Sequence, residues 1–333
     1  MRPSLFTLLS LAALAGSACS ASGTTGFTDS GNNNPVDGGT TDGNPLFEDA
    51  AGDVVVPPSK AVLYANDNTT LFELDPENLS SPLKNLGNFD CIGGTGQPTS
   101  MTDIAIDKSG KLYGVSQVAA YPLTLQGGGV HCDDVWTLPA NTKFYGLSFA
   151  PENTVAAEET LVAANDAGEI YAISKTGQPT ILGNFGKDGS NKPFELSGDI
   201  VFLSNGGQPV GFATVRVCPT SGSCTTIPDT LVQIDLAKLK LGNTTSVVKS
   251  VRGVLKQGSN CTNKKVPPSY GSMYGIAAYK DQIYGFSHAG GVVLINNGNA
   301  SVCLASVPQT SGGDTLFAGA GVTTVVSIIP PPN

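Results

Sequence analysis

Histidine is scarce in this 333-residue sequence, which contains only His131 and His288, and the seven cysteines include no Cys-x-x-Cys pair. Structural zinc sites need clustered Cys and His ligands, so the sequence predicts no metal site. It also lacks the glycine-rich fingerprints of nucleotide-binding proteins and the Gly-x-Ser-x-Gly turn of serine hydrolases. We therefore expect no cofactor.

Positive charge is also scarce, because 18 Lys and Arg residues face 27 Asp and Glu residues and give a net charge of −9. The basic residues form no cluster, which argues against a nucleic-acid partner. Only 14% of the residues are charged, whereas Gly (41) and Pro (22) are frequent. Short runs of Thr, Val, Ile and Tyr between turn residues predict an all-β protein.

The apolar run at the N-terminus covers residues 5–15 and is too short to span a bilayer, which needs about 20 residues. Arg2 precedes this run, and small residues follow it up to Cys19. This order is typical of a secretory signal. A cysteine at the cut site makes it resemble a bacterial lipoprotein signal. The resemblance implies cleavage of residues 1–18 and lipidation of Cys19.

An ordinary signal peptide cut near Ala18 or Ala21 is the alternative. Under the lipoprotein interpretation, the protein is exported and held in the bacterial cell envelope, at the outer membrane or cell surface, by the lipid on Cys19. Residues 19–58 are rich in Gly, Thr, Asn, Asp and Ser and predict a disordered tether. A flexible linker of this length reaches roughly 35 Å, enough to hold a domain clear of a membrane.

Residues 59–329 carry an internal repeat of short strands and turns, followed by a proline-rich tail at 330–333. The clearest copy starts at Asp103, and equivalent apolar positions recur at intervals of about 43 to 76 residues: Ile104, Leu147, Ile200, Ile276 and Val322. A four-stranded propeller blade takes about 40 to 50 residues. We therefore predict a five-bladed β-propeller, with a sixth blade inside the longest interval as the alternative.

The two ends of the repeat region complement each other. Residues 321–329 read as an opening strand without successors, whereas residues 61–64, 70–75 and 85–89 read as later strands without an opening one. Pairing of the N- and C-terminal strands would complete one blade and leave no exposed edge. The run from Asp103 to Asp107, followed by Gly110-Lys-Leu-Tyr113, resembles the repeats of exported bacterial propeller domains. That resemblance implies a fold and no particular activity.

Six cysteines remain once Cys19 is set aside, an even set that predicts disulfides in an exported chain. Six cysteines allow fifteen connectivities. Two of the pairs occupy nearly equivalent repeat positions, and the third encloses a five-residue loop, which favours Cys91–Cys132, Cys261–Cys303 and Cys218–Cys224.

The densest polar cluster follows Gly127 and contains four candidate ligand-binding residues, His131, Asp133, Asp134 and Trp136. We expect this glycine-rich stretch to be a loop at the central depression of the propeller, where Trp136 could stack on a sugar and the acids could bind its hydroxyls. A disulfide-anchored loop with a buried tryptophan is the alternative.

The leading hypothesis is a non-catalytic binding or scaffold domain with a glycan or protein ligand. The alternative is an exported carbohydrate-active enzyme that uses two carboxyl groups as acid and base. No catalytic residue is assigned, and the carboxyl candidates for the alternative are Asp103, Asp133, Asp134, Glu152, Glu195 and Asp199.

Overall fold

The structure is a computed structural model that describes residues 62–205, 208–219, 224, 227–261, 270–280, 282–308 and 315–325. The predicted signal peptide, Cys19, the tether and the proline-rich tail lie outside the described residues. The described chain contains no helix that is both long and apolar enough to cross a bilayer.

The strands of the first two blades follow one another along the chain. The first blade takes β1 (Leu63–Asn66), β2 (Thr70–Leu74) and β3 (Lys84–Asn88). The second consists of β4 (Met101–Ile106), β5 (Leu112–Ser116), β6 (Ala119–Gln126) and β7 (Gly129–Cys132), with the short β8 (Trp136–Thr137) beside β6.

The third and fourth blades have four antiparallel strands each. The third consists of β9 (Gly146–Ala150), β10 (Thr160–Ala164), β11 (Glu169–Ile173) and β12 (Pro179–Asn184). The fourth consists of β13 (Glu195–Asn205), β14 (Gln208–Arg216), β15 (Thr230–Ile234) and β16 (Val248–Val254). A 3₁₀ turn, Leu236–Lys238, follows β15.

The fifth blade completes the ring. It consists of β18 (Met273–Tyr279), β19 (Gln282–Ser287), β20 (Val292–Ile295) and β21 (Ser301–Leu304), and the short β17 (Lys256–Gln257) pairs in parallel with β21. The last strand, β22 (Gly319–Gly321), pairs with β1 and becomes the inner strand of the first blade. The predicted five-bladed propeller, closed by strands from both ends, is confirmed. Among the described residues, the longest interval holds no sixth blade.

The closing strand corrects the sequence-based register. We expected a strand over residues 321–329, but β22 ends at Gly321, and the part beyond residue 325 lies outside the described residues. The β-branched run after Gly321 has strand propensity. The innermost position, however, needs small residues, because a Cβ added at Gly319 would lie 2.1 Å from the Asp103 carboxyl. Packing at the axis therefore outweighs propensity.

The core lies between neighbouring blades, and the inner strands are its most buried part. Every residue of β4 and β9 is buried. Phe317, just before β22, packs edge to face on Phe72 and Phe286, with ring centroids 6.3 and 5.3 Å away. Such aromatic pairs add about 0.5–1.5 kcal/mol each beyond the area they bury. The seam between the first and fifth blades is therefore packed as a core.

Three disulfides are present, and they join the pairs that the spacing favoured. Cys91–Cys132 ties the segment that enters the second blade to β7, and Cys261–Cys303 ties the segment that enters the fifth blade to β21. Cys218–Cys224 closes a local loop after β14.

Candidate functional site

Two aspartates face each other on the axis of the propeller. Asp103 on β4 and Asp199 on β13 are both fully buried, and their carboxyl groups hydrogen-bond to each other. Burial raises the pKa of both carboxyls well above the usual range, and the charge of Asp199 raises that of Asp103 further. Two carboxyls in direct contact cannot both ionise readily, so the pair keeps a proton to a higher pH than a free carboxyl does.

The same two carboxyls bind backbone N–H groups from all five blades. Asp103 accepts from three of them at 2.5–3.0 Å and Asp199 from two at 2.6–2.7 Å. The five donors occupy equivalent places on the inner strands: Ile104, Leu147, Ile200, Ile276 and Ala320. Four are the positions that sequence spacing singled out, and the fifth is Ala320 where we expected Val322. The axial carboxyls therefore fix the ring of inner strands.

A cavity of about 370 Å³ opens beside this carboxyl pair. Its wall includes, from each blade, the residue two places before the axial N–H donor: Thr102, Tyr145, Gly198, Tyr274 and Ala318. Each blade also contributes a residue from the end of its second strand or the turn that follows: Asn68, Gln117, Asp166, Arg216 and His288. The cavity is thus a product of the whole ring, and we take it as the candidate functional site.

Arg216 is the cationic side chain in this wall whose charge is permanent. Its Nε and Nη1 atoms are buried and have no hydrogen-bond partner among the described residues. Buried donors are normally paired, because an unpaired one costs about 1–3 kcal/mol. Arg216 therefore carries unsatisfied hydrogen-bonding capacity at the cavity.

Asp229 is hydrogen-bonded to Ser197 of the cavity wall, and the charge of Arg216 lowers its pKa. Its carboxylate accepts hydrogen bonds from the Ser197 hydroxyl and, at 2.6 Å, from the Met273 backbone N–H. Burial raises the pKa of Asp229 to about 6, against the lowering effect of these bonds and of Arg216. The positive charge of Arg216 is therefore partly balanced inside the wall.

Two aromatic rings from the fifth blade form one side of the cavity. The rings of Tyr274 and His288 stack with centroids 4.6 Å apart and a tilt of 30°. The Nδ1 atom of His288 lies 2.9 Å from the carbonyl oxygen of Phe317. Because a carbonyl only accepts, we assign the proton to Nδ1, which leaves Nε2 of the neutral ring as an acceptor.

The third blade places a tyrosine and an acid on the wall. Tyr145 is half-buried, and Asp166 is exposed in the turn between β10 and β11. Burial raises the pKa of the Tyr145 hydroxyl, and the nearby charges of Asp166 and Tyr274 raise it further. Asp166 is the one carboxyl among the described residues that line the cavity.

The four candidates from the sequence lie elsewhere in the second blade: His131 is on β7, Trp136 is on β8, and Asp133 and Asp134 lie between these two strands. None of them lines the cavity. The expected loop is the tight β6–β7 hairpin, because Gly127 and Gly128 both adopt positive φ angles and Gln126 pairs with Gly129. Two such residues in a row are typical of a hairpin turn. The expectation of a loop at the central depression was wrong for this reason.

Each of these candidates has a local partner or an exposed position. His131 on β7 is exposed and binds Asp90 at 2.5 Å, which raises the pKa of the imidazole. Asp133 accepts from the Thr124 hydroxyl at 2.9 Å, and Asp134 is exposed. Their role as ligand-binding residues stays a prediction without support from their position.

Trp136 on β8 packs in the seam between the second and third blades. Its ring centroid lies 5.9 Å from that of Tyr113, which in turn packs 4.9 Å from Phe149. This half-buried position matches the alternative interpretation of a structural tryptophan.

The remaining carboxyl candidates do not converge. Glu152 forms an exposed ion pair with Lys108, and Glu195 lies beside the Cys218–Cys224 disulfide.

Carboxyl and sulfur atoms lie close together at two places, around Cys91–Cys132 and around Cys218–Cys224. Their sulfurs are in disulfides, and only a thiolate ligates a metal well.

Sequence reasoning missed the cavity residues, although a signal for them exists. Each axial N–H donor follows an Asp or a Gly, in the triplets Thr-Asp-Ile, Tyr-Gly-Leu, Gly-Asp-Ile, Tyr-Gly-Ile and Ala-Gly-Ala that begin at residues 102, 145, 198, 274 and 318. The first residue of every triplet lines the cavity. Aligning the repeats on these triplets would have found one wall residue in every blade.

Comparisons with known proteins return only similar folds. No protein-family model matches the sequence, and no curated protein sequence matches it. Among solved structures, the Dos1 propeller has 11% identity and a TM-score of 0.36 over 71% of this chain, and apo AztD from Citrobacter koseri has 13% and 0.29 over 76%. The chain spans 64% and 57% of the lengths of these two chains.

Proposed function

We propose that this chain is an exported lipoprotein whose propeller binds a small ligand in the axial cavity without transforming it. A propeller fold in general supports a binding or scaffold domain. One observation carries the proposal further: all five blades direct side chains into one cavity, where the buried donors of Arg216 have no partner. Pockets of about 300–1,000 Å³ with a few convergent polar groups are typical binding sites.

The geometry of the carboxyls favours binding over glycoside hydrolysis. Glycosidases hold their two carboxyls about 5 Å apart or more, so that a sugar and water fit between them. The carboxyls of Asp103 and Asp199 instead contact each other, and both accept hydrogen bonds from backbone N–H groups. In the described wall, Asp166 has no second carboxyl beside it.

The anchoring half of the proposal rests on the sequence. The apolar run, the small residues and Cys19 stand in the order of a lipoprotein signal, and residues 19–58 have the composition of a tether. Mass spectrometry of the mature N-terminus in a bacterial host tests this. We expect a lipid-modified Cys19 as the first residue; a free terminus near Ala18 or Ala21 would exclude lipidation.

Ligand binding is tested by screening the full chain against a panel of sugars, polysaccharides and small metabolites, with calorimetry as the readout. We expect a ligand whose affinity falls at least tenfold in Tyr274→Ala, because Tyr274 lines the cavity. Tyr279→Ala is the matched control, since Tyr279 on β18 faces Glu77 and Lys280 outside the cavity.

The same panel decides between binding and turnover. Ligands are recovered after incubation and examined for cleavage or rearrangement. Unchanged ligand supports the binding function. Turnover that disappears in Asp166→Asn would establish the enzymatic alternative at the cavity, and turnover lost in Asp133→Asn or Asp134→Asn would move it to the outer cluster.

A further inference from the structure

We propose that the axial cavity holds its ligand by a single carboxylate group bound at Arg216. This inference rests on the proposed function, because it names the chemistry of the ligand for the same cavity. It requires a guanidinium with unpaired donors, surroundings that select one negative charge, and acceptors for the rest of the ligand.

The guanidinium of Arg216 meets the first requirement. Two of its nitrogens are buried without a partner among the described residues, although the side chain belongs to the cavity wall. Arg252 in the same blade also has a buried Nε without a described partner, but its Nη2 donates to the Gln233 side chain at 2.5 Å. Arginine pairs with planar carboxylates through charge-assisted hydrogen bonds. A carboxylate in the cavity would pair with this guanidinium, the one permanent cation among the described residues of the wall.

The carboxyls around Arg216 select a single negative charge. Asp166 lines the cavity, and Asp229 lies close enough to Arg216 to have its pKa lowered by it. A phosphate group carries up to two negative charges. Arg216 would attract it, whereas the carboxylates of Asp166 and Asp229 would repel it. Like charges nearby disfavour the ionised form. The electrostatics therefore favour a monoanionic carboxylate over a phosphate.

Two other polar groups of the wall offer acceptors to a ligand. His288 presents Nε2 once Nδ1–H is bound to the Phe317 carbonyl, and Asp166 presents carboxylate oxygens. Such acceptors match hydroxyl or ammonium donors on the ligand, and the faces of Tyr145 and Tyr274 offer apolar area or a cation–π contact. A sugar acid and an amino acid both combine a carboxylate with such donors, and a volume of about 370 Å³ limits the ligand to a small molecule.

The arginine side chains provide a direct test, because the sequence contains only Arg2, Arg216 and Arg252. The ¹H–¹⁵N signals of the arginine Nε–H groups can therefore be assigned with Arg216→Lys and Arg252→Lys in the full chain. Acetate, galacturonate and glycine are titrated as carboxylates, galactose as the neutral partner of galacturonate, and inorganic phosphate as the competing anion. Fluorescence of the single tryptophan verifies that each variant is folded.

We expect galacturonate or glycine to shift the Arg216 signal saturably, acetate to shift it more weakly, and galactose to leave it unchanged. Arg216→Gln should weaken carboxylate binding at least tenfold, and Arg252→Gln should not. Phosphate binding as tight as the best carboxylate would overturn the inference.

A different result separates this inference from the proposed function. If none of the three carboxylates shifts the Arg216 signal while a neutral ligand from the panel binds in a Tyr274-dependent way, the carboxylate inference fails and the binding function stands. If the panel contains no ligand that depends on Tyr274, both fail.

Discussion

Buried ionisable groups occur in two neighbouring regions of this propeller, and the hydrogen bonding of the two regions differs. On the axis, Asp103 and Asp199 are in contact and together accept hydrogen bonds from five backbone N–H groups. At the cavity wall, Arg216 has two buried nitrogens without a partner among the described residues. The first region has used its hydrogen-bonding capacity to hold the fold together, whereas the second keeps capacity that a ligand can use.

The comparison shows how a polar residue in a core can be assigned to structure or to function. Position alone does not decide, since both regions lie at the centre of the ring. The hydrogen bonding of the side chain is the better guide. An unpaired buried group destabilises the folded protein, and pairing it with a ligand is therefore favourable. Substitutions in either region test this distinction.

The largest effect is expected from Asp103→Ala. The substitution leaves the backbone N–H groups of Ile104, Leu147 and Ala320 without their acceptor. Each such loss costs about 1–3 kcal/mol, so we expect the free energy of unfolding to fall by about 3–9 kcal/mol. Urea denaturation followed by the fluorescence of Trp136 measures it. Asp134→Ala, at an exposed carboxyl, should leave the midpoint unchanged; equal stability of both variants would contradict the axial role.

The pH dependence of stability is the next largest effect. Burial raises the pKa of Asp103, Asp199 and Asp229 in the folded protein, that of Asp229 from 3.8 to about 6. Groups with a raised folded pKa stabilise fully below their unfolded pKa and lose this contribution as the pH rises through the folded value. The Asp229 shift alone corresponds to about 3 kcal/mol. We expect denaturation midpoints to fall between pH 4 and 7, with a smaller fall in Asp229→Asn; a rise would contradict the assignment.

A smaller effect is expected from Gly319→Ala, which tests the space around the axial pair. The added Cβ would lie 2.1 Å from the Asp103 Oδ1 atom, so β22 or the carboxyl must move. Overpacking of this kind costs about 1–3 kcal/mol. Gly189→Ala is the matched control, because its Cβ meets nothing within 4 Å and its φ is not positive. A thermal melt that does not distinguish the two variants would show that the axis has room to adjust.

On the other side of the comparison, Arg216→Met should change stability little. Its Nε and Nη1 donors have no described partners to lose, and methionine fills a similar apolar volume. At pH 5, below the Asp229 pKa of about 6, most Asp229 carboxyls are neutral and need no cation. We therefore expect a change within about 1 kcal/mol at pH 5. Loss of one partner of a buried ion pair costs about 3–5 kcal/mol, and a loss of that size at pH 5 would assign Arg216 to the fold.

The architecture could be predicted because each blade carries its own opening strand. Equivalent positions such as Ile104 and Ile276 repeat often enough to count the blades, and matching cysteine positions identified Cys91–Cys132 and Cys261–Cys303. The last register was wrong by two residues, since strand propensity favours Val322 and axial crowding favours Ala320. Local patterns were therefore sufficient for the fold, except where several blades meet.

The cavity could not be predicted in the same way, because its wall is assembled from separate parts of all five blades. Arg216 and His288 lie 72 residues apart in sequence and share the wall only once the ring closes. The cluster from His131 to Trp136 is dense in sequence but lies along the outer strands β7 and β8. Clustering of polar residues along the sequence therefore did not identify the side chains that come together at the cavity.

The smallest effect is expected at that outer cluster, from His131→Ala. The pair of His131 and Asp90 is exposed on both sides, and exposed ion pairs contribute little and are screened by salt. We expect an unchanged denaturation midpoint and unchanged ligand affinity, whereas His288→Ala should weaken binding because His288 lines the cavity. Calorimetry with the best ligand of the panel measures both variants. Should His131→Ala weaken binding as much as His288→Ala, the ligand would contact the outer strands rather than the axial cavity.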